Sequence, residues 1–120
     1  MSGDATLPMQ LQEQLQRLQQ LQQTLQVIVS QRQQLEVEGS EIDRALAELE
    51  KLPEDGVVYR SIGSLLMKSE KKKLIDELRE RKELTTTRVS VLAKQQSRTE
   101  ERLKELQQVI QERIKPSTEG

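Results

Sequence analysis

A seven-residue repeat of apolar side chains constrains this chain more than any other feature of its sequence. In the first half, two series of positions seven residues apart carry nine apolar side chains among twelve positions. This spacing places an apolar stripe along one face of an α-helix, and a stripe held over about six heptads is typical of a coiled coil. The positions, called the seam below, are Leu11, Leu18, Leu25, Arg32, Gly39 and Leu46, and Gln14, Leu21, Ile28, Leu35, Ile42 and Leu49.

The same repeat returns in the second half in a weaker form. Seven of its twelve seam positions are apolar. The two halves therefore predict two amphipathic helices that can pack on each other along their stripes. The second seam consists of Ile75, Lys82, Val89, Gln96, Leu103 and Ile110, and Leu78, Thr85, Leu92, Thr99, Leu106 and Arg113.

Proline and serine mark the predicted ends of the two helices. Pro8 suits a first helical turn, whereas Pro53 disfavours helical backbone at the residue before it. Ser69 is a candidate N-terminal cap for the second helix. Together these signals predict a helix over about residues 8–52, a second helix over about residues 70–115, and a short polar tail at 116–120.

The matched lengths of the helices favour an antiparallel pair within one chain, with Leu11 near Ile110. Charge supports this pairing, because residues 1–52 carry a net charge of −4 and residues 70–120 a net charge of +3. An ordinary homodimeric coiled coil is a second interpretation of the heptads. Gly39 predicts a bend or a loose turn in the first helix, since glycine costs about 1 kcal/mol relative to alanine there.

Composition narrows the classes of function. Aromatic residues make up 1% of the chain and charged residues 32%, which suits a coiled coil; disorder is the competing interpretation, and the intact heptads argue against it. The chain has no cysteine and no histidine. We therefore expect no enzyme activity, no metal site and no cofactor, with the many carboxylates paired along helix surfaces, as in Glu77 with Arg81.

The location expected from sequence is the cytoplasm. The N-terminus lacks a basic stretch followed by an apolar run, so we expect no signal peptide. Apolar runs are far shorter than the roughly 18 residues that span a membrane. A net charge of −1 gives no reason to expect a nucleic-acid partner.

The segment between the helices has the pattern of a β-hairpin over about residues 57–68. A β-branched run precedes Gly63-Ser64, whose order suits a two-residue type II′ turn. A lone two-stranded hairpin is marginal in water, and its unpaired edges invite other strands. We expect it to be the oligomerisation element, although a connector folded back on the coil is an alternative. The residues predicted to join subunits are Val57, Val58, Tyr59, Ile62, Gly63, Leu65, Leu66 and Met67.

The segment VVYRSIGSLLMKSEKKKLIDELRERKE, flanked by two heptad helices, resembles the β-type subunits of the prefoldin family. The start Val58-Tyr59-Arg60, the turn at Gly63 and the strand ending at Lys68 carry the resemblance. It implies a mainly α fold, a long antiparallel two-helix coiled-coil hairpin whose central β-hairpin oligomerises into a β-barrel platform. It also implies a hetero-hexamer of two α-type and four β-type subunits.

The same resemblance implies an ATP-independent molecular chaperone, a holdase that captures unfolded client proteins and delivers them to a group II chaperonin. The alternative is a coiled-coil scaffold or adaptor that binds one fixed helical partner. Family resemblance places client binding at the tips of the helices, where apolar side chains cluster at both chain ends. They are Leu7, Met9, Leu11, Leu15, Leu18, Leu106, Val109, Ile110 and Ile114.

Overall fold

The computed structural model describes residues 8–115. Two long helices flank an antiparallel hairpin, in the order α1 (Met9–Glu50), β1 (Val57–Ile62), β2 (Leu65–Glu70) and α2 (Lys71–Ile114). This is the mainly α architecture that the sequence predicts. No helix in the described range has the length and apolar content that a membrane span requires.

The described chain divides into two compact units. The first joins residues 8–31 of α1 to residues 92–115 of α2, and the second holds residues 32–91, including the hairpin. In the first unit the seam is closed by Leu11, Ile28 and Ile110, all at least nine-tenths buried. The other seam positions of this unit are half-buried or buried, except Arg113, which is exposed. The predicted heptads therefore form the packed stripe.

In the second unit, the seam is closed by Ile42 and Leu49 on α1 and by Thr85 on α2. Gly39 is also buried, and a Cβ there would lie 3.8 Å from Thr85 Cγ2. α1 continues through Gly39 without a break, so the glycine does not end the helix. A Cβ at that distance would be an ordinary van der Waals contact, so the packing does not require glycine, and burial of the seam outweighs its low helix propensity.

The C-terminal end of α1 differs by two residues from the prediction. The helix ends at Glu50, and the amides of Lys51 and Leu52 donate to carbonyls three residues back, at 3.2 and 3.1 Å. Such tightened bonds satisfy the last carbonyls of a helix. The Lys71 ammonium also donates to the Leu52 carbonyl at 2.7 Å, which places a cation at the negative end of α1.

A tight turn leads from α1 into the hairpin. The Gly56 amide donates to the Pro53 carbonyl at 2.9 Å, closing a β-turn over Pro53–Gly56. A Cβ on Gly56 would lie 2.9 Å from that same oxygen, so this position requires glycine for its close backbone approach. Asp55-Gly56 thus acts as the turn signal that the sequence indicates.

The hairpin closes on the predicted two-residue loop. Ile62 pairs with Leu65, Gly63 has φ of +59°, and Ser64 does not have positive φ. These angles fit a type II′ turn, in which the first central residue alone is left-handed. The structure corrects the limit of β2, which runs to Glu70. Ser69 pairs with Val58 in the sheet, and because α2 begins at Lys71, Glu70 and not Ser69 occupies the N-cap position.

Candidate functional site

The tip of the first unit, residues 8–18 of α1 and 106–115 of α2, carries exposed apolar side chains. Met9 is 70% exposed, Val109 44% and Ile114 58%. None of the three is a seam position, so pairing of the helices leaves them in solvent. Apolar side chains exposed at one end of a helix pair are suited to binding other molecules.

The remaining predicted tip residues are covered to different degrees. Leu11 and Ile110 are 6% and 5% exposed, so they close the seam in this structure. Leu18 and Leu106 are half-buried, as is Leu15, although Leu15 lies outside the heptad series. Because α1 turns by 3.6 residues and not 3.5, a position beside the stripe can pack against it. Leu7 lies outside the described residues.

A polar contact that the sequence does not reveal links the two helices at the tip. Arg113 Nη1 donates to Gln10 Oε1 at 3.0 Å. One turn further along α1, Gln14 Oε1 is buried at a seam position and has no hydrogen-bond partner in the described range. A buried acceptor without a partner costs about 1 to 3 kcal/mol. The tip is therefore closed by apolar contacts, with Gln14 weakening that closure.

The hairpin presents two different faces. Alternation along the strands and the pairing register place Val58, Arg60 and Ile62 on one face, called the inner face. Arg60 Nη1 lies 3.0 Å from Glu77 Oε2 on α2, which ties the inner face to that helix. The opposite, outer face carries Val57, Tyr59, Ser61, Leu66, Lys68 and Glu70.

Burial separates Val58 from the other hairpin residues predicted to join subunits. Val58 is 6% exposed within the single chain, so it belongs to the intrachain core and is not available to a neighbouring subunit. The remaining large side chains are about half exposed or more, on both faces, and Leu66 is the most exposed at 73%. An apolar strand pair with free edges is suited to joining further strands. The exposed set comprises Val57, Tyr59, Ile62, Leu65, Leu66 and Met67.

The charged side chains pair between elements more than along the helices. The predicted pair of Glu77 with Arg81 is wrong: Glu77 pairs with Arg60, and Arg81 pairs with Glu38 on α1 at 3.2 Å. A local spacing rule missed both contacts because their partners are 17 and 43 residues away. Within residues 8–115, no three acidic side chains are grouped in a way that could hold a metal ion.

Comparison with protein families identifies the architecture. A family model described as "Prefoldin subunit" matches residues 12–117. The prefoldin subunit beta of Thermococcus kodakarensis is 40% identical over 114 residues, covering 95% of this chain and 97% of that protein. The prefoldin subunit beta of Thermoplasma volcanium is 50% identical over 104 residues, covering 86% of this chain and 84% of that protein.

Solved structures show the same fold. The crystal structure of the prefoldin beta subunit from Thermococcus strain KS-1 superposes with a TM-score of 0.83 at 39% identity, covering 93% of this chain and 98% of that one. The beta2 subunit of the same strain superposes with a TM-score of 0.67 at 26% identity, covering 74% of this chain and 95% of that one. The likeness extends over both helices and the hairpin.

Proposed function

Because this chain belongs to the prefoldin family as a β-type subunit, we propose that it is part of an ATP-independent holdase. Its helix tips would capture non-native polypeptides in the cytoplasm, and the complex would pass them to a group II chaperonin. The exposed apolar tip supports the first step most directly. Delivery to the chaperonin and the cytoplasmic setting follow from the family and form part of the proposal.

The observation that carries this proposal is the exposure of Met9, Val109 and Ile114 beside a closed seam. Apolar contact is non-directional, so it suits clients whose sequences share little beyond exposed apolar segments. Methionine adds a side chain that adapts its shape to different partners. These three residues would meet a client first, without any change in the coil.

A second set of apolar residues becomes available if the tip opens. Leu11 and Ile110 are buried against the seam, and opening would expose both. The Gln10–Arg113 hydrogen bond is solvent-exposed, so water replaces it at little cost when it breaks. The unpartnered acceptor of Gln14 lowers the cost of opening further. A client would thus contact the exposed tip residues first and the seam residues after the tip opens.

Assembly would supply the affinity that a single tip lacks. Prefoldin subunits form hetero-oligomers, and we propose that this chain enters a hexamer of two α-type and four β-type subunits through its hairpin. Apolar side chains on both hairpin faces support burial by neighbouring strands in a shared barrel. Several tips held together bind one client through effective concentration, so weak contacts add up to firm capture.

Light scattering from a denatured client protein, diluted into buffer without nucleotide, tests the proposal. The complex with an α-type subunit should suppress aggregation of several unrelated clients. Replacing Val109 and Ile114 by serine should raise the concentration needed for half-suppression about tenfold, because several tips lose contacts together. The complex itself should keep its mass.

The matched control is the double replacement of Val27 and Val37 by serine, which removes side chains of similar exposure, 55% and 58%, away from the tip. This variant should protect clients as well as the parent complex. Equal loss in both variants would contradict a specific tip site. A complex that ignores denatured proteins and binds one partner at fixed stoichiometry would instead indicate the adaptor function.

A further inference from the structure

A groove of about 910 Å³ separates the hairpin from α2, and nothing in the proposed client capture uses it. Arg60, Ser61 and Ile62 of β1 form one wall, and residues 74–87 of α2 contribute the other. All of these residues belong to the second unit. The Arg60–Glu77 ion pair crosses between the walls and holds them at a fixed separation.

The groove has an apolar floor, and packing of the coil does not explain all of it. Leu84 is 52% exposed and lies outside the heptad series, so pairing with α1 leaves it in solvent. Ile62 faces the same space from the hairpin and is about half exposed. Leu74 and Leu78 complete the floor and are half-buried. Such a floor within a concave surface favours an apolar side chain from another molecule.

The rim of the groove is acidic. Three lining charges are already paired, since Glu77 pairs with Arg60 and Arg81 pairs with Glu38. Glu80 and Glu83 also line the groove, and neither forms an ion pair within the described part of the chain. A partner that presents an apolar side chain next to a cation would match this surface.

The outer face of β2 has this combination. Leu66 is the most exposed large apolar residue of the chain's described range, and Lys68, also exposed, follows two residues later on the same face. Neighbours at this spacing lie about 7 Å apart along a strand. Lys68 has no ion-pair partner within residues 8–115.

We propose that the groove of one copy binds the outer face of β2 of a second copy, with Leu66 on the apolar floor and Lys68 between Glu80 and Glu83. The two surfaces cannot meet within one chain, because the groove lies on the inner side of the hairpin and Leu66 on the outer side. The contact is heterologous, so it orders subunits around a closed ring or along an open chain. This inference rests on the proposed assembly through the hairpin and specifies one of its contacts.

Disulfide trapping tests the contact directly, because the natural chain contains no cysteine. One batch carries Leu66→Cys and another, distinguishable by mass, carries Leu84→Cys; both are assembled together with an α-type subunit and mildly oxidised. Mixed disulfides between the two batches should form about tenfold faster than with a Leu65→Cys batch, because disulfides require Cα atoms within about 7 Å. Leu65 is a matched control, similarly exposed but on the inner face.

Equal rates of mixed disulfide formation with the Leu66→Cys and Leu65→Cys batches would overturn the proposal. So would a product in which most disulfides join two subunits of the same batch. A charge reversal tests the ionic part. Lys68→Glu in the Leu66→Cys batch should slow mixed cross-linking about tenfold, and Glu83→Lys in the Leu84→Cys batch should restore it. If Glu83→Lys does not restore the rate of mixed cross-linking, the proposed pairing of Lys68 with the rim is overturned.

Client protection separates this inference from the proposed function. If the complex assembles and suppresses aggregation but gives no preferred mixed disulfide, the groove proposal fails alone. If the parent complex protects no client, the holdase proposal fails whatever the cross-linking shows. A Leu84→Glu variant that keeps the mass of the complex, yet loses client protection, would overturn the groove proposal in favour of a client segment as its occupant.

Discussion

Gly39 shows how one residue can be tolerated where its helix propensity argues against it. It sits at a buried seam position, and a Cβ there would lie 3.8 Å from Thr85 Cγ2 and 3.9 Å from Lys82 Cε. Both distances are ordinary van der Waals contacts. The site therefore has room for a methyl group, and the glycine is not required by any unusual backbone angle.

We expect Gly39→Ala to raise the free energy of unfolding by about 1 kcal/mol, because alanine loses less backbone entropy in a helix. Urea unfolding followed by circular dichroism measures the change. Gly63→Ala is the contrasting variant: its φ of +59° strains any side chain although nothing lies within 4 Å. That variant should lose roughly 1 to 3 kcal/mol. A destabilised Gly39→Ala would mean that the seam cannot admit the methyl group.

At the scale of elements, ion pairs between helices follow one rule in the second unit. The acids lie on α1 and the bases on α2 in each of the three pairs, which confirms the attraction expected from the opposite charges of the two halves. The pairs are Glu38 with Arg81, Asp43 with Lys82, and Glu50 with Arg79. Such exposed pairs add little stability individually, but together they favour one register of α1 against α2.

Reversing one of these charges should show that contribution. Lys82→Glu places two carboxylates together and should lower the free energy of unfolding by about 1 kcal/mol, whereas adding Asp43→Lys should recover most of the loss. Thermal unfolding at low and high salt measures both, and 1 M salt should shrink the difference because it screens exposed charges. Lys94→Glu, at an exposed position of α2 outside the ion pairs, is the control. If the double variant is no more stable than Lys82→Glu alone, direct pairing of residues 43 and 82 is contradicted.

At the scale of the whole molecule, the hairpin and the tip are proposed to divide the work between assembly and capture. Val57 and Tyr59 lie on the outer hairpin face and are more than half exposed, so they contribute little to the fold of one chain. Val58, between them, points the other way and is buried. Substitutions within this three-residue stretch can therefore separate an effect on assembly from an effect on the stability of one chain.

Replacing Val57 and Tyr59 by lysine should dissociate the hetero-oligomer while leaving helix content unchanged, as measured by sedimentation and circular dichroism. Client protection should then require about a hundredfold more protein, because separate tips lose their shared effective concentration. Val58→Ala should instead lower the melting temperature of the chain, since it leaves a cavity in the core. An unchanged mass for the double lysine variant would move the assembly surface away from the outer face.

Local rules were enough to predict the order of elements. Heptad spacing fixes which helix face is apolar, Pro53 stops α1 nearby, and Gly63 permits the left-handed residue of a tight hairpin turn. Each of these requirements involves neighbours a few residues apart. They can therefore be read without knowing which distant segments meet. The apolar residues outside the seam at Val109 and Ile114 were found in the same way.

Heptad spacing and turn residues alone predict a pair of helices around one hairpin, with apolar residues at both chain ends. The tertiary structure decided that Val58 is buried, that Glu77 pairs with Arg60, and that α2 and the hairpin enclose a groove. These features depend on contacts between different elements, such as Arg60 with Glu77 across 17 residues of chain, where burial and charge pairing are set by packing. The heptad and strand periods predict which face of its element a side chain lies on. Which residue it contacts on another element depends on the fold.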